Sequence, residues 1–161
     1  RHPNLMVLRT FSKIHALPGI RVGYMMCGEP EIINAVALYR PMFPFSWFSL
    51  FVAQTAFVDE EQPIKARHKT EARRRELYGR LDSMPRYQYL PTATNTLMLR
   101  HTSLPAARLW EALAAHGCLT ANLNGINGLQ GEAFLRITVR AREDNAILME
   151  ALEQADQGAG F

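Results

Sequence analysis

Lys13 closes the run Thr10-Phe11-Ser12-Lys13, and Arg21 returns after a Pro18-Gly19 turn. Thr10 and Ser12 bring hydroxyl groups and Lys13 an amine, while Arg21 brings a planar fork of N–H groups that matches phosphate oxygens. Such a set can hold an anion beside an amine. A lysine amine attacks carbonyl carbons when partial burial and a nearby cation favour its free-base form. A cofactor-anchoring lysine is the chemistry this grouping allows. Taken alone, Lys13 reads first as an ordinary strand-end lysine in a salt bridge; the spacing of its neighbours turns the reading to a cofactor anchor.

The elements around Lys13 follow from pattern. Leu5-Met6-Val7-Leu8 has the continuous apolar profile of a buried strand, and Val22 to Cys27 makes a second strand closed by Gly28. Glu29-Pro30-Glu31 opens a helix with Ile32, Ile33, Val36, Ala37 and Tyr39 at helical spacing. After Pro41 and Pro44 comes an aromatic stretch, Phe43 to Phe51, leading into a helix over Val52 to Phe57. That stretch reads as core, partner interface or substrate-pocket wall. A polar break at Asp59 to Pro63 precedes a long charged helix, Ile64 to Met84, with Glu71–Arg75 and Glu76–Arg80 one turn apart.

Beyond Pro85 the pattern becomes two strands, Tyr87 to Leu90 and Thr96 to Arg100, and then a helix with Ser103 as N-cap and Gly117 as its stop. Cys118 to Ala121 is strand-like, Asn122 to Gly131 is a loop, and Phe134 to Val139 is a strand carrying Arg136. A last helix, Glu143 to Gln154, leads to a frayed tail at Gln157 to Phe161. Helices beside antiparallel strands suit a small α+β domain.

Composition sets limits on partners. Of 161 residues 48% are hydrophobic and 20% charged, which supports a packed core and argues against disorder. The net charge is only +3, and Arg73-Arg74-Arg75 has no aromatic interleaving, so no nucleic-acid partner is expected. Cys27 and Cys118 match no metal-ligand spacing and read as buried thiols; no metal is expected. No apolar run is long enough to span a bilayer, so no membrane partner is expected and cytoplasm is the default location. The chain opens at Arg1 and enters a core strand at once, which is expected of a piece of a longer chain.

Leu8-Arg9-Thr10-Phe11-Ser12-Lys13, Ala16-Leu17 and Gly19-Ile20-Arg21-Val22-Gly23-Tyr24 resemble the pyridoxal-phosphate (PLP) aminotransferases of fold type I, class I/II, most closely the histidinol-phosphate aminotransferase-like branch. The resemblance implies that Lys13 forms the internal aldimine with PLP. It also implies that Thr10 and Arg21 grip the cofactor phosphate, with Ser12 a further contact. A second match, Phe134-Leu135-Arg136-Ile137-Thr138-Val139, places the family's carboxylate-binding arginine at Arg136. His15 falls where the family tolerates varied residues. The implied fold class is α/β: residues 1–65 are the C-terminal part of the PLP-binding large domain, and residues 66–161 a small α+β C-terminal domain. The family's N-terminal aspartate and cofactor-stacking aromatic have no counterpart here.

Three departures bear on substrate. Trp47 and Phe48 stand where the family usually has small polar residues. Ala121 falls where the branch carries an arginine for phosphorylated substrates, with Arg140 or Arg142 as candidate substitutes; Arg140 itself replaces a common glycine. The expected activity is therefore transamination between an amino acid with a free α-carboxylate and a 2-oxo acid, by a homodimer. PLP-dependent decarboxylation, elimination or oxidation, and a non-catalytic fragment, are the alternatives.

Overall fold

The computed structural model describes residue 2 and residues 4–158. The chain divides into two compact units, residues 1–67 and 68–161, with the division inside one long helix.

In the first unit β1 (Met6–Thr10) pairs antiparallel with β2 (Gly23–Cys27), from Met6 opposite Cys27 to Thr10 opposite Gly23. Gly23 is required here. A Cβ on it would lie 2.7 Å from the Arg9 carbonyl oxygen, closer than two strands tolerate. Helix α1 (Pro30–Leu38) starts on its proline, and α2 (Trp47–Val58) starts ahead of the expected position because Ser46 caps it, its Oγ accepting the Ser49 N–H at 3.0 Å. The unit's core is Phe11, Val22 and Ala53, with Leu17, Ile20, Tyr24 and Ala56 packed against them.

Two expectations change in this unit. β1 is a strand but not a buried one: Met6 is 51% and Leu8 75% exposed. A continuous apolar strand needs a layer on each face, whereas among the described residues β1 has β2 alone as its sheet partner. The aromatic stretch is likewise not core in this chain, since Phe43, Trp47 and Phe48 are mostly exposed and Trp47 stacks on Phe51 at 5.3 Å.

Helix α3 (Glu61–Leu81) runs through the division. In the second unit β3 (Tyr87–Leu90), β4 (Thr96–His101), β5 (Ala121–Asn122) and β6 (Leu135–Thr138) form an antiparallel sheet in the order β3-β4-β6-β5. Period-two alternation gives it one closed and one open face. Leu97, Leu99, Leu135 and Ile137 pack into a core with Leu77 and Leu81 of α3, Leu109 and Leu113 of α4 (Ala106–Ala115), and Met149 and Leu152 of α5 (Arg142–Gly158). Met98, Arg136 and Thr138 lie on the open face by the same alternation.

Local differences have local causes. Ser103 does not cap α4: Pro105 is extended at φ −59° and ψ 148°, so the helix begins at Ala106, and His101 Nδ1 accepts the Ser103 and Leu104 N–H groups at 3.1 and 2.9 Å. Gly117 ends α4 at φ +76°, as expected of a left-handed stop. The strand expected from Cys118 shrinks to Ala121–Asn122, and the Trp110 indole N–H takes the Thr120 carbonyl at 2.9 Å. Glu71 pairs with Arg75 as expected, but Glu76 turns to Arg142 and Arg80 to Glu153. Both cysteines are free thiols and only half-buried. Gln157 and Gly158 continue α5; the remainder of the expected tail, residues 159–161, lies outside the described residues.

Candidate active site

Thr10 closes β1, and Ser12, Lys13 and Arg21 follow in its connection to β2. The ladder extends one rung past Thr10, with the Phe11 N–H donating to the Val22 carbonyl at 3.2 Å, and the Leu17 N–H closes the turn on the Phe11 carbonyl at 3.0 Å. Phe11 is the pin of this turn. It is buried against Val22 and Ala53, with His15 at 4.9 Å and Tyr24 at 5.8 Å between ring centroids. Its burial turns the neighbouring polar residues outward, and Thr10, Lys13 and Arg21 are exposed while Ser12 is half-buried.

The polar groups are partly committed. Thr10 Oγ1 accepts the Ser12 N–H at 3.2 Å, which leaves its own hydroxyl hydrogen to donate. Arg21 Nη1 donates to the Pro18 carbonyl at 2.8 Å, fixing the guanidinium; its Nε and Nη2 have no partner among the described residues. Two non-glycine residues of the connection are left-handed, Ala16 at φ +55° and Arg21 at φ +56°. Each costs on the order of 1–2 kcal/mol, and such strain gathers where side chains must be aimed. The polar set can be picked out of the sequence by residue type; Ala16 cannot, and Gly23 is signalled there only as a glycine inside a strand pattern.

Arg136 belongs to the second unit, exposed on the open face of its sheet, with Met98 and Ala121 directly opposite on either side. Among the described residues it makes no ion pair. Its neighbours are engaged: Arg100 with Glu132 at 3.0 Å, Arg140 with Asp144 at 2.8 Å, and Arg142 with Glu76 through two contacts, one of 2.9 Å. Arg140 and Arg142, considered above as replacement anion binders, are thus each held by a carboxylate.

Comparison with known proteins defines the class first. The crystal structure of histidinol-phosphate aminotransferase from Clostridium acetobutylicum matches with a TM-score of 0.91 at 18% identity, over 98% of this chain and 47% of that one. That of L-threonine-O-3-phosphate decarboxylase from Porphyromonas gingivalis matches at 0.84 and 22% identity, over 97% and 48%. The fold is the mixed α/β fold of the fold type I PLP-dependent enzymes. Residues 1–154 match the family described as aminotransferase class I and II, and the chain belongs to that family, whose enzymes are PLP-dependent. It is 30% identical over 158 residues to histidinol-phosphate aminotransferase of Methanothermobacter thermautotrophicus, an alignment that takes in 97% of this chain and 42% of that relative.

Proposed function

We propose that this chain carries the cofactor lysine and the carboxylate-binding arginine of a PLP-dependent aminotransferase acting on an amino acid with a free α-carboxylate. Residues 1–65 would be the C-terminal part of the PLP-binding large domain and residues 66–161 the small C-terminal domain. The observation that carries the reading is the end of β1 and its connection to β2, a short segment that presents exposed Thr10 and Lys13, half-buried Ser12 and an Arg21 guanidinium with unfilled donors among the described residues. This donor set fits a phosphate beside a carbonyl-bearing ring: hydroxyls and a guanidinium for the phosphate, an amine for the carbonyl.

PLP, when bound, supplies an aldehyde for the amino group and a ring that withdraws electrons from Cα. The chain's own residues bind, orient and move protons. Thr10, Ser12 and Arg21 hold the phosphate and so fix the reach of Lys13. Arg136 pairs with the substrate carboxylate through two parallel N–H groups. Lys13 Nζ takes the proton from the substrate Cα. In the whole protein, which acts as a cytoplasmic homodimer, the apolar β1 and the Trp47–Phe51 stretch are covered by further chain and by the partner subunit.

The test uses the polypeptide expressed from its natural gene, with L-amino acids and a 2-oxo acid acceptor. New 2-oxo acid should form only when acceptor is present, and Lys13→Ala should lower the rate by roughly 10²-fold or more. Carbon dioxide released without any acceptor would instead favour decarboxylation, a reading kept by the shared fold of the Porphyromonas gingivalis decarboxylase.

A further inference from the structure

Leu90 of β3, Met98 of β4, Arg136 of β6 and Ala121 of β5 are directly opposite one another in register, so one residue from each strand forms a single row across the open face. Arg136, the one charge in that row, makes no ion pair among the described residues, unlike the other arginine of this face. Arg100, on the neighbouring cross-strand row, donates to Gln88 and Glu132 at 3.0 Å each and lies 5.0 Å over the Phe134 ring. On the other side of Arg136 the row is Thr96 and Thr138, which is neutral. Among the described residues, the open face therefore offers one uncompensated guanidinium flanked by apolar side chains.

A carboxylate paired with Arg136 leaves its substituent above the adjacent strands, which lie about 4.8 Å to either side. An alkyl or aryl group there loses water-exposed area against Leu90, Met98 or the Ala121 methyl. A phosphate in the same place would give up hydration with no cation to receive it. We propose that the row Leu90, Met98, Arg136 and Ala121 selects amino acids whose side chain is apolar and unphosphorylated. The proposal rests on Arg136 as the carboxylate anchor.

The experiment is calorimetric titration of the PLP-loaded polypeptide, expressed from its natural gene, with L-leucine, L-phenylalanine, O-phospho-L-serine and O-phospho-L-threonine. Leucine and phenylalanine should bind about tenfold or more tighter than the two phosphoamino acids. Ala121→Arg, and independently Met98→Lys on the opposite flank, should each narrow that ratio about tenfold without altering the absorbance of bound PLP. Phosphoamino acids that bind as tightly as leucine to the wild-type protein, or a ratio unmoved by both variants, would overturn the selection. Arg136→Ala should weaken all four ligands alike; if it weakens none, the anchor itself is wrong, whereas Arg136-dependent binding without discrimination sinks the selection alone.

Discussion

Ala16 carries the clearest cost at the scale of a single residue. Its left-handed backbone, φ +55°, lets the chain turn after Lys13 so that the Leu17 N–H reaches the Phe11 carbonyl. Glycine would relieve about 1–2 kcal/mol of steric strain and add about 0.5–1 kcal/mol of unfolded-state entropy. Ala16→Gly should therefore raise the unfolding free energy by roughly 0.5 kcal/mol, read as a higher denaturant midpoint at unchanged slope. A lower midpoint would mean that the alanine methyl makes a contact worth more than the strain. At this scale the candidate site was legible because amine, hydroxyl and guanidinium groups announce their chemistry by type and spacing. Ala16 was not, since nothing in its type signals a left-handed conformation.

Helix α5 illustrates what holds at the scale of elements. Its first residue, Arg142, grips Glu76 of α3 with two N–H groups, tying two helices that share the second unit's core. That hydrogen-bonded guanidinium holds the Glu76 carboxyl below its ordinary value of 4.5. The folded state thus binds this proton more weakly than the unfolded chain. The pair's stabilisation should be complete above pH 4.5 and fade as pH falls through the lower folded value. Unfolding of wild type and Glu76→Gln should accordingly differ by a constant amount from pH 8 to about pH 5 and converge in stronger acid; a difference that persists at pH 3 would contradict the assignment. Sequence spacing had paired Glu76 with Arg80, because an i,i+4 rule sees only its own helix and not a competing arginine on another. Strands β3 and β4 were readable from alternation, whereas the start of α2 was hidden. Aromatic residues are weak helix formers, and their density masked the Ser46 cap that begins the helix.

The whole molecule repeats this contrast between local chemistry and distant partners. The apolar strand β1 was legible as a strand and misread as buried, because burial depends on layers that a local pattern does not contain. The chain spans 42% of the length of its Methanothermobacter relative, and the covering of β1 and of the Trp47–Phe51 stretch belongs to the proposal for the whole protein. The family, by contrast, could be read from a few residues around Lys13, since amine, hydroxyl and guanidinium groups fall together within one short segment. Under the proposed function, Lys13 is the residue that bonds to PLP. Its most direct test is borohydride reduction of the PLP-loaded polypeptide, expressed from its natural gene, followed by digestion and mass spectrometry of the peptide containing residues 10–21. A stable phosphopyridoxyl mass increment is expected on Lys13 and absent in Lys13→Ala; an increment on another lysine, with Lys13 unmodified, would overturn the role of Lys13 as the cofactor anchor.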